Sequence, residues 1–205
     1  MKNSLMPLYN QLFKKYGHQG WWPVGGTYFP GEYSIPRNHK DQFEIILGTI
    51  LTQNTAWNNV DKALANLRNA DLVNPEKILD SEISTLETLI RPSGYFRQKA
   101  ARLKEVARNY LEIDASSLSS EELRCSWLEV NGVGPETADS ILLYAYRKPV
   151  FVIDNYTKRF CRHFGLKVTG KYEDYQKYFE SRLPKEAWLF NEYHALIVRW
   201  AKENR

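Results

Sequence analysis

Apolar residues recur along this chain with the period of a helix rather than of a strand. Phe43, Ile46, Leu47, Ile50 and Leu51 fall at i, i+3, i+4, i+7 and i+8, and Trp57, Val60, Leu64 and Leu67 continue the period in the next segment. Ala100, Leu103, Val106 and Tyr110 define a third face. Leu123, Trp127 and Val130 lead up to a glycine-rich turn, and Ala138, Ile141, Leu142 and Ala145 lead away from it. Beyond a short apolar link at 148–153, the pattern predicts helices over about 154–164, 171–181 and 186–203. The last of these carries Leu189, Tyr193, Leu196, Ile197 and Trp200 on its buried stripe. Residues 17–38 alone are aperiodic, and their Gly, Pro and aromatic content reads as an ordered loop crossing a surface or lining a cleft. There is no internal repeat and no low-complexity tract, so the expected fold class is all-α.

Composition narrows the function classes only a little. With 205 residues, 43% of them hydrophobic, the chain can bury the core of one compact unit or of two small packed lobes. Its 28 basic and 24 acidic residues leave a net charge of +4, which permits nucleic-acid binding through a local patch without demanding it. The amino terminus lacks a long apolar segment and the longest apolar runs fall short of a membrane span. The expectation is therefore a soluble protein of the cytoplasm, at the nucleoid in a prokaryote, with no membrane partner. Two cysteines, Cys125 and Cys161, stand far apart without a Cys-x-x-Cys unit, so neither a zinc site nor a four-cysteine cluster can be built within one chain. They read as small buried residues under reducing conditions.

Candidate chemistry concentrates in the stretch Asn131-Gly132-Val133-Gly134-Pro135-Glu136-Thr137-Ala138-Asp139. Glycine tolerates positive φ and has no side chain to hold a ligand away, so Gly132 and Gly134 are expected to let the chain reverse and expose successive N–H groups. Pro135 suits the first position of a helix, whose positive dipole end favours an anion such as a phosphate. A plain interhelical turn would use the same residues. Further on, Phe151-Val152-Ile153-Asp154-Asn155 closes an apolar run with a carboxylate that opens the next helix, a good N-cap whatever else it does.

Together these two segments resemble the helix-hairpin-helix and catalytic aspartate of the HhH-GPD DNA glycosylase superfamily that includes endonuclease III. The resemblance implies a two-lobed all-α fold: a six-helix barrel at about 38–147, and a second helical lobe made from 1–37 and 148–205, with the active-site cleft between them. It extends over nearly the whole chain. Phe43-Glu44-Ile45-Ile46-Leu47-Gly48-Thr49-Ile50-Leu51-Thr52-Gln53-Asn54-Thr55 looks like the family's helix ending in a glutamine that enters the DNA stack, which gives Gln53 a contact to the opposing strand or the vacated position. Arg91-Pro92-Ser93-Gly94-Tyr95-Phe96-Arg97-Gln98-Lys99-Ala100 resembles the loop that presents an intercalating side chain, here Tyr95. By the same match, Gly132, Val133, Gly134 and Glu136 belong to the DNA-binding hairpin and Asp154 is the catalytic carboxylate.

Bifunctional relatives carry a lysine two residues past the second hairpin glycine, where its amine forms a Schiff base with the sugar. This chain has Glu136 there, and a carboxylate forms no imine, so the resemblance implies simple hydrolysis. The sequence Trp21-Trp22-Pro23, together with Trp57, is similar to the cluster-free bacterial branch of 3-methyladenine DNA glycosylases. These residues and Lys202 would then form the base pocket, where electron-rich rings favour a cationic alkylpurine. Each tryptophan is also explicable by packing alone. His194 and His163 read as structural.

The expectation is a monomeric, monofunctional, metal-independent glycosylase acting on damaged bases in double-stranded DNA. No iron–sulfur cluster is expected, although a monovalent cation on hairpin carbonyls near 130–134 is compatible with the superfamily. Two alternatives stay open: the same fold acting on deaminated or oxidised bases, and a helix-hairpin-helix DNA-binding module without catalysis.

Overall fold

The computed structural model describes residues 4–204, and within them the chain is helical, with a single antiparallel bridge between Val24 and Thr27. The helices are α1 (Leu5–Tyr16), α2 (His39–Leu51), α3 (Trp57–Asn69), α4 (Pro75–Asp80), α5 (Ile83–Leu89), α6 (Phe96–Glu112), α7 (Ser120–Leu128), α8 (Pro135–Ser140), α9 (Asn155–His163), α10 (Tyr172–Glu180) and α11 (Ala187–Glu203). Their starts are chemically marked. Asn38 accepts from Asp41 N at 2.9 Å to begin α2, and Ser119 with Glu122 closes a capping box at α7.

Packing follows the apolar faces. Helix α2, buried from Phe43 to Leu51, is contacted by α3, α6, α8 and the turn Ile141–Ala145, while α4 and α5 lie on α6. Helices α1 and α9 both pack on α11, which reaches back to the Ile141–Ala145 turn. The extended segment 148–153 passes between these groups. A buried carboxylate helps hold them together: Asp139 on α8 takes Arg124 Nε at 2.6 Å and Gln176 Nε2 at 2.8 Å, tying α8 to α7 and α10.

Four elements depart from the sequence pattern. Helix α1 lies outside the predicted set, although Leu5, Leu8, Tyr9 and Leu12 form its buried face at helical spacing. The short helices α4 and α5 each have too few apolar positions to establish a period. The helix expected through 138–145 changes at Ile141 into a π-helical turn ending at Ala145. All five residues of that turn are buried, including Tyr144.

Candidate active site

Asp154 ends the extended link and begins α9. Its Oδ1 accepts hydrogen bonds from Thr157 N at 2.6 Å and Thr157 Oγ1 at 2.9 Å, so the carboxylate does cap the helix, and with one oxygen only. The other oxygen, Oδ2, lies 3.5 Å from His194 Nε2. Burial pushes the Asp154 pKa up, but the neighbouring His194, with the hydrogen bonds from Thr157, outweighs it and holds the carboxyl below its usual range. It is therefore ionised at neutral pH while only 13% of its side chain meets solvent.

The structure gives His194 a setting that its sequence context does not disclose. It is buried on α11, and its Nδ1 is 2.6 Å from the Tyr144 hydroxyl, so it stands between the π turn and Asp154 rather than in the apolar core. Nothing in the local sequence marks this, because the contact depends on how α11 crosses the π turn. His163, by contrast, packs on Phe164 and Trp200.

An aromatic group adjoins Tyr144. Its ring centroid is 5.2 Å from that of Trp22, and Trp22 lies 5.4 Å from Trp57 and 5.1 Å from Trp21. Trp21 and Trp57 meet edge to face at 4.5 Å, and the exposed Tyr28 flanks Trp21 at 6.0 Å. The tryptophans of the sequence motif thus come together with Pro23, which is buried beside them. Trp22 is deeply set against α2, where a Cβ added to Gly48 would stand 3.0 Å from its indole. Two buried glutamates pin the aperiodic loop on either side of these rings. Glu44 accepts Gly25 N at 2.9 Å and Arg68 Nη1 at 2.7 Å, while Glu192 accepts Gln19 N at 2.8 Å and the Tyr33 hydroxyl at 2.7 Å. Lys202 is exposed on the last turn of α11, eight residues, or about 12 Å of helix, beyond His194.

A cleft of about 400 Å³ is lined by Gln53, Tyr95, Gln98, Arg102, Glu136 and Thr137 among others. Gln53 spans it: its Nε2 donates to Gly132 O and Thr137 Oγ1, both at 3.0 Å, and its Oε1 accepts from Arg102 Nη1 at 2.7 Å. Entry of Gln53 into a DNA stack would exchange these bonds. Tyr95 is 67% exposed and adopts a left-handed backbone at φ 46° before α6, which turns its ring outward. In the hairpin the two glycines differ. Gly132 has φ 80° and a Cβ there would collide with the Arg102 guanidinium, whereas Gly134 is extended and faces open space, so only Gly132 makes the reversal. Val133 turns its side chain inward and donates its N–H to Val130 O at 3.0 Å, which removes that amide from the set a phosphate could use. Glu136 is exposed at its outer edge, yet partial desolvation of its carboxyl, together with the charge of Asp154, raises its pKa.

Lys99, one turn before Leu103 on the apolar face of α6, anchors the floor of the cleft. Buried to 1% exposure, its Nζ donates to Leu51 O and Thr55 Oγ1 at 2.7 Å and to Ser93 O at 2.8 Å, joining the end of α2 to the loop that carries Tyr95. Burial and the charge of Arg102 lower its pKa to about 8. A lysine depressed in the folded state contributes stability that is complete above its unfolded pKa and is lost as pH falls through the folded value. Denaturant titrations of wild type and Lys99→Met should therefore show a stability difference that changes by about 1 kcal/mol per pH unit between pH 8 and 9.5. Comparing the two proteins cancels the alkaline contribution of their common tyrosines.

Among the described residues no group of three or more His, Cys, Asp or Glu side chains is placed to hold a metal ion. Cys161 is buried, and burial pushes its thiol up to about 12. Cys125 is exposed, contrary to the expectation of two buried cysteines. On α7 the inward positions are Leu123 and Trp127, and a residue midway between them faces outward. Of the hairpin carbonyls proposed for a cation, Val130 O already accepts Val133 N and Gly132 O accepts Gln53 Nε2.

Comparison with known proteins bears on the family and the fold. Residues 47–185 match the family model of the HhH-GPD superfamily of base excision DNA repair proteins. A Methanocaldococcus jannaschii protein assigned as a DNA repair glycosylase is 40% identical over 204 residues, covering 96% of this chain and 86% of its own length. An endonuclease III of Thermotoga maritima is 32% identical over 158 residues, 75% of this chain and 72% of the relative. Among solved structures, the H. pylori 3-methyladenine DNA glycosylase MagIII bound to 1,N6-ethenoadenine superposes with a TM-score of 0.78 at 30% identity, over 98% of this chain and 99% of that one. A trapped endonuclease III–DNA covalent intermediate has the same fold at a TM-score of 0.72 and 17% identity, over 98% and 87% of the two chains.

Proposed function

The chain belongs to the HhH-GPD superfamily of base excision DNA repair proteins, and from that premise we propose that it is a monofunctional glycosylase that hydrolyses the N-glycosidic bond of alkylated purines, 3-methyladenine foremost, in double-stranded DNA. The observation that carries the reading is the continuity from three mutually packed tryptophans through Tyr144 and His194 to the ionised Asp154. Aromatic faces favour a base that carries positive charge, and a carboxylate within reach of its sugar stabilises the oxocarbenium character that develops as the base departs with the bonding electrons. The glycosidic bond of a duplex nucleotide is hidden, so such a site requires the nucleotide to be swung out. Tyr95 suits the gap so created, with Gln53 beside it and the hairpin on the phosphate backbone. Lys202 is assigned to the pocket rim, and the protein acts as a monomer.

The likeness to MagIII favours the alkylated base, while the endonuclease III relatives point to the runner-up, deaminated or oxidised bases. Duplexes each carrying one lesion, incubated with excess enzyme and analysed for free base, distinguish them. Release confined to alkylpurines supports the proposal; release of an oxidised pyrimidine or uracil, with alkylpurines retained, overturns it.

Glu136 supports hydrolysis without an enzyme imine. Borohydride added during excision is expected to trap no protein–DNA adduct, because reduction needs a Schiff base from an amine. An adduct formed in step with base release, visible as a shifted band on a denaturing gel, would assign a lysine to the reaction.

A further inference from the structure

Asp154 spends Oδ1 on the α9 cap, so the environment of Oδ2 decides which way the free edge of the carboxylate faces. His194 Nε2 is beside it at 3.5 Å and is buried without a hydrogen-bond partner among the described residues. The opposite ring nitrogen is held at 2.6 Å by the Tyr144 hydroxyl, itself buried. A neutral imidazole has one N–H and a phenol one O–H. With Tyr144 donating to Nδ1, the imidazole proton resides on Nε2, the ring nitrogen 3.5 Å from Oδ2. In the opposite tautomer Nδ1–H would donate to the phenol oxygen, the phenol proton would lose the imidazole as its acceptor, and an imidazole lone pair would confront the carboxylate. Two buried mismatches make that arrangement costly.

We propose that Tyr144 and His194 form a positioning relay for Asp154: the phenol fixes the imidazole tautomer, and the imidazole N–H orients the carboxylate edge that serves the sugar. The proposal rests on Asp154 being the catalytic carboxylate. Because Tyr144 also packs on Trp22, the relay couples the wall of the base pocket to that carboxylate. The other charged groups around it are Glu136 on α8, with Lys158 of α9 near it, and Glu192 on α11, already occupied by Gln19, Tyr33 and His18. Neither glutamate can replace the imidazole, since an ionised carboxylate only accepts hydrogen bonds.

The test follows the side-chain carboxyl ¹³C resonance of Asp154, assigned by its absence from Asp154→Asn, through a pH titration. His194→Phe should raise the Asp154 pKa by about one unit and slow single-turnover excision roughly ten- to a hundred-fold. His194→Gln, which retains a donor, should return the titration most of the way to that of wild type. If His194→Phe fails to fold because the Tyr144 hydroxyl is orphaned, the double variant His194→Phe/Tyr144→Phe removes both polar ends and should show the same upward shift. An Asp154 titration unmoved in the phenylalanine variants overturns the relay whatever happens to excision. Wild-type excision by Asp154→Asn would instead remove the catalytic reading on which the relay rests, so the two failures are told apart.

Discussion

Asp154→Asn is expected to excise alkylpurines at least a thousand-fold more slowly than wild type, while melting at nearly the same temperature and binding undamaged duplex with unchanged affinity. An asparagine oxygen can still accept from Thr157 N and Oγ1, so the cap on α9 survives. What disappears is a negative charge in a site where only 13% of the side chain meets water, and such preorganised charges commonly contribute about three to four orders of magnitude to a rate. Single-turnover kinetics separates this loss from binding. Loss of folding in parallel with activity would instead place Asp154 among purely structural caps.

The second large effect is expected at the aromatic wall. Trp22 is wedged against Gly48 and its replacement would disturb the core, whereas Trp21 and Trp57 are only half-buried and meet each other at 4.5 Å. Trp21→Leu/Trp57→Leu keeps apolar volume but removes two π faces, each able to contribute about 0.5–2 kcal/mol to a cationic base. Excision of 3-methyladenine should fall roughly ten- to a hundred-fold, and affinity for undamaged DNA, which depends on phosphate contacts, should hardly change. Equal losses for a charged and a neutral lesion would show that these rings provide shape alone. Loss of affinity for undamaged DNA would place them in docking.

The helices that carry strong apolar stripes are legible in the amino-acid pattern: α9, α10 and α11 begin and end within about a residue of the expected bounds, because their periodicity and their polar flanks agree. The tryptophans and Asp154 are legible as candidates, since motif and residue type coincide at each. His194 and Tyr144 are not. They meet across 50 residues of sequence, and their contact depends on the widened turn at Ile141–Ala145, which an apolar pattern cannot distinguish from ordinary helix. Lys99 is hidden for a related reason. Its spacing puts it in line with Leu103 and Val106 on the buried face, but the partners that make a lysine acceptable there are the three acceptors from α2, Thr55 and the Ser93 turn, which converge on it only in the fold. The hairpin illustrates a subtler limit: two glycines of the same motif have different reasons to be glycine, and only the backbone angle tells them apart.

Hydrolytic excision is tested most directly by what leaves the DNA and what remains. Duplex labelled on the strand that carries 3-methyladenine should be treated with excess enzyme for a single turnover, and free base and strand breakage quantified from the same samples. The prediction is one free 3-methyladenine per lesion consumed, with the labelled strand intact until alkali cleaves the abasic site. No free base, or strand scission matching base release before alkali, would contradict it.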